Sequence, residues 1–496
     1  MEPDQIEIRF GDMKKIILVL IFVFVVSGCG TTVNPSPSPT EISTPLPQPT
    51  VASLPTVMPS PSAVVPISEP PLKTSGPYFT YFREVNGVYQ LVMMDADGTG
   101  RKVIDLPQGF VDSLTNQQFG IDIRFVSPDG KWLAFYTGSA GKSGEMPAQG
   151  ESDLTLNLLN LETGEKHVVT PLLSKDYPNN FTEAAKALND PYKTAESLYD
   201  AFTAGITQAI GWSPNGQYLA FAGQMDGLSS DLYVYDVNTQ KIQRLSSGDQ
   251  ELQWIDWSPD GKWILHGSVY SVGEGMEYDI YAAAMNGSSI QQLPFGLVDN
   301  WLNSHKFFEY DSQNGSGNFG LRLVDLDTGK ITKIWDGSFL GYKVNPNGNW
   351  LVIATLEKGL QIINLKTYVK AQAPDSLPNP PDSFLRLDDG EIFPLDLRPF
   401  NMDKNISTSP DAKYSVITID QDIKVYSSNI DLIKDVSVPV QDTKLTDVQW
   451  NPDSSGLFLI YGTNIYSLNI SNGDVNLVET NLIDNYGSAY KWINGQ

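Results

Sequence analysis

The sequence has little with which to cross-link itself or to bind a soft metal. It holds one cysteine, Cys29, and three histidines, His167, His266 and His305. A single thiol excludes an intramolecular disulfide. Three histidines at unrelated spacings exclude a zinc site of the usual histidine and cysteine kind, so no metal and no cofactor is expected. Charge is also sparse: 18% of residues are charged, and the balance is acidic, with a formal net charge of −25. That sign excludes nucleic acid as a partner held by long-range electrostatics. A helical composition is missing as well. In its place stand 41 glycines, 33 prolines, 22 tyrosines, 21 phenylalanines and 10 tryptophans, the mixture of many strands and tight turns.

Long apolar runs are absent except near the start. Residues 16–26, IILVLIFVFVV, form a run of eleven, short of the roughly 20 residues a membrane-spanning helix needs. Lys14 and Lys15 precede it, which makes residues 1–28 an expected signal peptide, and the acidic stretch before Met13 is foreign to such a signal and points to initiation at Met13. The next four residues, Val26-Ser27-Gly28-Cys29, resemble the bacterial lipobox. That resemblance implies a lipid on Cys29, and with it an extracytoplasmic protein held on the bacterial cell membrane or cell surface. Each buried methylene of such a lipid contributes about 0.8 kcal/mol, so several chains hold firmly. The alternative for Cys29 is an apolar residue ending a retained membrane segment.

Residues 30–76 carry twelve prolines and no helix or strand periodicity. With Cys29 they form an expected linker, 29–76, rich in proline, serine and threonine. Extended at about 3.1 Å per residue, it reaches roughly 145 Å.

From residue 77 to 496 a unit repeats. FVSPDGKWLAFYTG at 125–138, WSPNGQYLAFAG at 212–223 and WSPDGKWILHGS at 257–268 each set a Ser-Pro-Asx-Gly turn between two apolar strands. Proline fixes φ, Asp or Asn caps the turn, and glycine accepts a positive φ. With the turn residue as a mark, Ser127, Ser213, Ser258, Asn303, Asn345, Ser409 and Asn451 give intervals of 86, 45, 45, 42, 64 and 42. A unit of 42 to 45 residues fits a four-stranded propeller blade, and the two long intervals fit one unit each with inserted residues. Trp492 follows Trp450 by 42 residues, while residues 77–108 begin at the second strand of a unit. The two chain ends therefore complete one further blade. The expectation is an all-β fold: a closed β-propeller of eight four-stranded blades at 77–496, with insertions near 171–206 and 371–400. Seven blades is the alternative, because register is weakest around 371–430 and the Asn303 unit lacks proline and glycine.

The insertion at 171–206 predicts two short helices. Phe181, Ala184, Ala185 and Leu188 recur at helical spacing, followed by Tyr192, Ala195, Leu198, Tyr199 and Phe202. Asp190 caps the second helix and Pro191 sits in its first turn. Their apolar stripes either cover the propeller rim or line a ligand groove.

SPDGKWLAF, WSPNGQYLAFAG and WSPDGKW resemble the TolB-like beta-propeller repeat family, most specifically at Ser127 to Phe135, Ser213 to Phe221 and Ser258 to Leu265. The resemblance implies an extracytoplasmic propeller that binds other proteins. Related propellers precede catalytic domains in prolyl oligopeptidase-like enzymes, and the expectation here is the propeller alone.

In such a blade the first-to-second and third-to-fourth turns share one end of the propeller. The second-to-third loops and the connections between blades share the other, which receives 137–153, 171–206, 268–279 and 371–400. Long loops on a rigid scaffold favour recognition, so the expected partner is an envelope or extracellular protein bound there without turnover. A glycan or peptide ligand, with a hydrolytic site at the mouth of the central channel, is the alternative. No catalytic residue is named, because the histidines fall in three different places and no carboxylate pair stands out. Asp95 with Asp97 and Asp325 with Asp327 read as turn caps. Glu145, Glu151, Asp153, Glu274 and Glu277 read either as solvated acids or as a site for a cation or a basic partner.

Overall fold

Turn chemistry sets the spacing of the strands, and strand pairing between blades closes the ring. The chain divides into Met1–Ser68 and Glu69–Gln496. The computed structural model describes residues 70–494, apart from 108–121, 139–153, 175–208 (Lys186 and Ile206 excepted), 226–228, 248–250, 312–319, 373–383, 387–391, 395–403, 441–444, 484–488 and a few single or paired positions. The expected signal peptide, Cys29 and nearly all of the expected linker lie outside the described residues.

Seven sheets have four strands and one has three. Blade 1 is split, with Tyr490–Ile493 innermost beside Tyr78–Val85, Val88–Asp95 and Arg101–Asp105. The pairing runs antiparallel from Tyr78 opposite Ile493 to Tyr81 opposite Tyr490, so the end of the chain supplies the inner strand that the beginning lacks. Blade 2 holds Trp132–Thr137, Thr155–Asn160 and Lys166–Pro171. Its inner place is taken by the 3-10 turn Ile123–Phe125 and by Val126, which bridges Leu133. Blade 3 runs through Ile210–Trp212, Tyr218–Gly223, Asp231–Asp236 and Lys241–Arg244. Blade 4 runs through Glu251–Trp257, Trp263–Val272, Gly275–Ala284 and Ile290–Leu293. Blade 5 is Gly296–Trp301, Lys306–Asp311, Gly320–Asp325 and Lys330–Trp335. Blade 6 is Gly341–Val344, Trp350–Thr355, Gly359–Asn364 and Lys370–Gln372. Blade 7 is Lys404–Thr408, Tyr414–Ile419, Asp422–Ser427 and Leu432–Ser437. Blade 8 is Leu445–Trp450, Gly456–Tyr461, Asn464–Asn469 and Val475–Glu479. The count is eight, and the seven-bladed alternative falls. The unit marked by Asn303 is a complete blade, and the weak region at 371–430 holds blade 7 plus a separate hairpin of Phe384–Arg386 with Ile392–Pro394.

The expected helical insertion is corrected. Among the described residues no α-helical element is defined: the helical element is the three-residue turn Ile123–Phe125, and Lys186 and Ile206 stand as isolated helical residues. Where the insertion begins, backbone groups are committed to sheet pairing instead: Leu173 bridges Gln224 in parallel, and the Gln224 N–H donates to Leu172 O at 2.7 Å. The periodic residues 181–202 lie outside the described residues apart from Lys186.

The core lies between blades, because alternate residues of each strand face the blade before and the blade after. Phe79, Tyr81 and Met94 of blade 1 pack with Phe458 and Ile460 of blade 8, and the rings of Phe79 and Phe458 lie 4.8 Å apart. Phe82 and Leu91 pack on Leu133 and Phe135 of blade 2. Each such side chain stabilises the fold by about 1.5–3 kcal/mol on burial. The last residues of the expected linker dock on blade 1: the Arg101 N–H donates to Pro70 O at 2.8 Å, and the Lys73 N–H donates to Asp95 Oδ2 at 2.8 Å. Gly100 makes this approach feasible, because a Cβ there would stand 2.7 Å from Pro71 O.

Candidate functional site

Each blade is an antiparallel meander, so its first-to-second and third-to-fourth turns fall at one end of the propeller, the turn end. All other connections fall at the opposite, long-loop end. The turn end is chemically closed on itself. In four blades a buried serine is the hub: Ser127, Ser213, Ser258 and Ser409 are at most 1% exposed. Their hydroxyls donate to Asp129 (2.6 Å), Asn215 (2.7 Å), Asp260 (2.9 Å) and Asp411 (2.8 Å). They accept from the backbone N–H of Trp132, Tyr218, Trp263 and Tyr414 at 2.9 to 3.0 Å. Asn345 does the accepting in blade 6, from the Trp350 N–H at 2.8 Å. In blade 5, which lacks the motif, Asn303 Oδ1 accepts from His305 and Lys306 N–H groups at 3.1 and 3.0 Å.

The paired aspartates are spent in the same way. Asp97 Oδ1 accepts from the Thr99 N–H at 2.9 Å, and Asp325 Oδ1 accepts from the Asp327 and Thr328 N–H groups at 3.1 and 3.2 Å. They cap turns. Glu145, Glu151, Asp153 and Glu274 lie outside the described residues, and for Glu277 the backbone alone is described.

Around the central channel, inner strands of neighbouring blades are tied by a polar relay that the sequence reading missed. Trp212 Nε1 donates to Phe125 O at 2.9 Å, Trp257 Nε1 to Gly211 O at 2.9 Å, and Trp301 Nε1 to Asp256 Oδ2 at 2.7 Å. Burial raises the Asp256 carboxyl, with the Trp301 hydrogen bond opposing. Tyr342 of blade 6 donates to Asp299 Oδ2 of blade 5, which also accepts from Tyr310 on the second strand of its own blade, and Tyr490 donates to Asp447 Oδ2 at 3.1 Å. Burial first, and then the Asp299 charge, push Tyr310 up to about 12. Lys491 donates to Val126 O, and burial pushes it down to about 8, with Asp122 pulling the other way. The tryptophan spacing of about one blade was the available signal. The carboxylates next to it were not read as its acceptors.

The three histidines do not converge. His167 lies on the outer strand of blade 2, its ring 5.6 Å from that of Trp132. His266 is buried in the second strand of blade 4, stacked on Tyr281 at 5.4 Å, and burial pushes it down to about 4. His305 is in the turn of blade 5, 3.8 Å from Asp327. Among the described residues no group of three His, Cys, Asp or Glu side chains is placed to hold a metal ion.

The long-loop end differs. It receives the connections from Thr137 to Thr155, Pro171 to Ile210, Asp311 to Gly320 and Gln372 to Lys404. Beneath it, between blades 3 and 4, sits a buried polar group. Glu251 Oε2 accepts from the Ser230 N–H at 3.0 Å and from Gln224 Nε2 at 3.4 Å, and Ser230 Oγ accepts from the Leu252 N–H at 2.7 Å. Burial pushes Glu251 up to about 8, against the pull of these hydrogen bonds.

No family model matches the chain. The uncharacterized protein Atu1656 of Agrobacterium fabrum is 25% identical over 151 residues, covering 28% of this chain and 50% of that protein. Dipeptidyl-peptidase 5 of Aspergillus fumigatus is 29% identical over 151 residues, covering 29% of this chain and 17% of that protein. The chain thus spans half or less of the curated relatives it matches. Among solved structures, TolB from Acinetobacter baumannii aligns at 20% identity with a TM-score of 0.28, over 59% of this chain and 62% of that one. Dihydro-heme d1 dehydrogenase NirN aligns at 11% identity with a TM-score of 0.46, over 86% and 78%. Likeness at this level goes no further than fold, and one propeller scaffold hosts many unrelated functions. The class is set by the sheets themselves: an eight-bladed β-propeller closed by pairing of its two chain ends.

Proposed function

We propose that the chain is an extracytoplasmic lipoprotein, anchored through Cys29 and spaced from the membrane by its proline-rich segment. Its propeller binds another envelope or extracellular protein at the long-loop end without turning it over. The observation that carries this reading is the difference between the two ends. Side-chain hubs of the turn end are consumed by their own turns, blade after blade. All connections of variable length leave from the other end, where rigid strands present them. The three histidines lie in different blades. His266 Nδ1 stands 3.4 Å from Ser268 Oγ but is buried in its strand, and His305 Nδ1 stands 3.4 Å from Ser304 Oγ with Asp327 facing the same nitrogen. Neither forms an acid–base–nucleophile relay, so the geometry favours recognition over hydrolysis.

Crosslinked pull-down from membranes with the soluble propeller tests the binding. A reproducible partner should appear, and it should vanish when the long-loop end is replaced by short turns but persist when exposed turn-end residues are changed. Recovery indifferent to the long-loop end would sink the assignment. Metabolic labelling with an alkyne fatty acid tests the anchor: label should appear in the full chain and disappear in Cys29→Ser.

A further inference from the structure

Blade 4 departs from its neighbours at the long-loop end. Its second and third strands, Trp263–Val272 and Gly275–Ala284, are ten residues each, whereas the corresponding strands of blades 2, 3 and 5 to 8 are six. The ladder between them continues without a break to Val272 opposite Gly275. Four extra residues per strand extend the hairpin by about 13 Å.

The blade's other strands do not follow it. The inner strand reaches only as far as Glu251 opposite Val269, and the outer strand only as far as Leu293 opposite Ile280. Among the described residues, therefore, 270–272 pair only with 275–277, and 275–279 have no strand on their outer side. Such an edge is a template for another chain, and proteins blunt it with lysine, proline or a covering segment. The propeller does this elsewhere: six of its eight outer strands carry Lys or Arg, at Arg101 and Lys102, Lys166, Lys241 and Arg244, Lys330 and Lys333, Lys370, and Lys434. The hairpin does not. From residue 263 to 305 there is no Lys or Arg at all, while Glu274, Glu277 and Asp279 fall in or beside the extension.

We propose that the edge Gly275–Asp279 accepts, by β-strand addition, an extended lysine- or arginine-bearing segment of the partner protein. This rests on the long-loop end being the interaction face. Backbone pairing supplies the affinity and the acidic sequence selects the basic strand. A second copy of this chain is disfavoured as the occupant, because two acidic edges would be set side by side.

The test uses the full chain and a decapeptide of alternating lysine and valine. The peptide should bind by fluorescence anisotropy and slow hydrogen exchange at the amides of 275–279. A counterpart N-methylated at alternate amides, which keeps the charge but cannot pair, should bind at least about tenfold more weakly, and so should the unmodified peptide to E277K/D279K. Equal binding of the N-methylated peptide, absence of protection at 275–279, or self-association of the chain through this edge overturns the proposal. Deleting Tyr270–Val272 and Gly275–Glu277 shortens the two strands to Trp263–Val269 and Tyr278–Ala284, close to the length of the other blades. If partner capture is lost with this deletion, the edge is supported. If capture survives it but is lost on replacing the other long loops, the edge is wrong and the interaction face stands. If capture survives both, the interaction face itself is wrong.

Discussion

Glu479 Oε2 accepts a hydrogen bond from Arg83 Nη1 at 3.0 Å, joining the outer strand of the last blade to the second strand of the first across 396 residues of sequence. The same oxygen accepts from Tyr81 Oη at 2.8 Å and lies 3.7 Å from Arg101 Nη1. Oε1 accepts from the Thr480 and Asn481 N–H groups at 2.9 and 3.1 Å. Ring closure is therefore ionic as well as strand-paired, and the carboxylate is fully occupied.

Glu479 should make closure acid-sensitive. Burial pushes its carboxyl up, but the hydrogen bonds from Tyr81, the Thr480 N–H and Arg83 outweigh it and hold it below the ordinary value. A depressed folded-state pKa stabilises above the unfolded value, about 4.3, and that stability is lost as pH falls through the folded value. Glu479→Gln should cost about 3–5 kcal/mol at pH 7, the cost of breaking a buried pair on one side. Urea unfolding at pH 7 and pH 3 checks it: the gap between wild type and variant must shrink in acid. An equal gap at both would refute the assignment.

Blade 4 carries two buried groups with opposite pH slopes. Glu251, pushed up to about 8, binds a proton in the folded state that the unfolded chain has released, so stability falls as pH rises from about 4.5 to about 8. His266, pushed down to about 4, stays neutral while the unfolded chain is charged, so stability rises from about 4 to about 6.5. Each slope is about 1.4 kcal/mol per pH unit, and they cancel between about 4.5 and 6.5. Glu251→Gln should remove the decline above pH 6.5, and His266→Phe should uncover a decline that begins near pH 4.5. Thermal melts of the two variants across pH 4 to 9 read both, and unchanged profiles would dismiss the pair.

The blades were legible because the fold repeats a local device. Proline, an Asx residue and glycine at fixed offsets mark the turns at Ser127, Ser213, Ser258 and Asn345, and even the unit at Asn303, stripped of that device, could be placed by its spacing of 45 and 42 to its neighbours. The polar contacts between blades were not legible. Asp256 meets Trp301 and Glu251 meets Ser230 only because blades stack side by side, which no periodicity along one strand encodes. Glu309 was a partial exception. It interrupts the run KFFEYD, and hairpin register alone sets Arg322 opposite it, where the two form an ion pair at 3.1 Å. The two short helices expected at 181–202 rested on periodicity alone, which in an isolated segment is weak ground for a helix, and those residues lie outside the described ones apart from Lys186.

The serine hubs should matter more than their exposed neighbours. In Ser213→Ala the Tyr218 N–H loses its acceptor at 2.9 Å and Asn215 loses a donor at 2.7 Å, both beside a side chain 1% exposed. Leaving a buried donor unmatched costs about 1–3 kcal/mol. Ser213→Ala should therefore lower the free energy of unfolding in urea titrations by that amount, while Ser471→Ala, at an exposed turn, should lower it by less than about 0.5 kcal/mol. Equal effects would show that the hubs are decorative.

Ala412 occupies the place where Gly130, Gly216, Gly261 and Gly348 sit in other blades, and it shares their backbone: φ is 57° at Ala412 against 69° to 71° at the glycines. A Cβ in this left-handed region costs about 1–2 kcal/mol, offset in part by the lower chain entropy of alanine when unfolded. Ala412→Gly should thus raise stability by about 0.5–1 kcal/mol. The reverse change at Gly216 should cost more than the same strain, because its Cβ would also stand 2.9 Å from the Asp129 carboxyl and must push that side chain off Ser127. Gly216→Ala is expected to destabilise by about 2 kcal/mol. Urea unfolding of the two variants, one gaining and one losing, checks both signs at once. A loss in Ala412→Gly would mean that the turn is held in αL at no cost to its alanine.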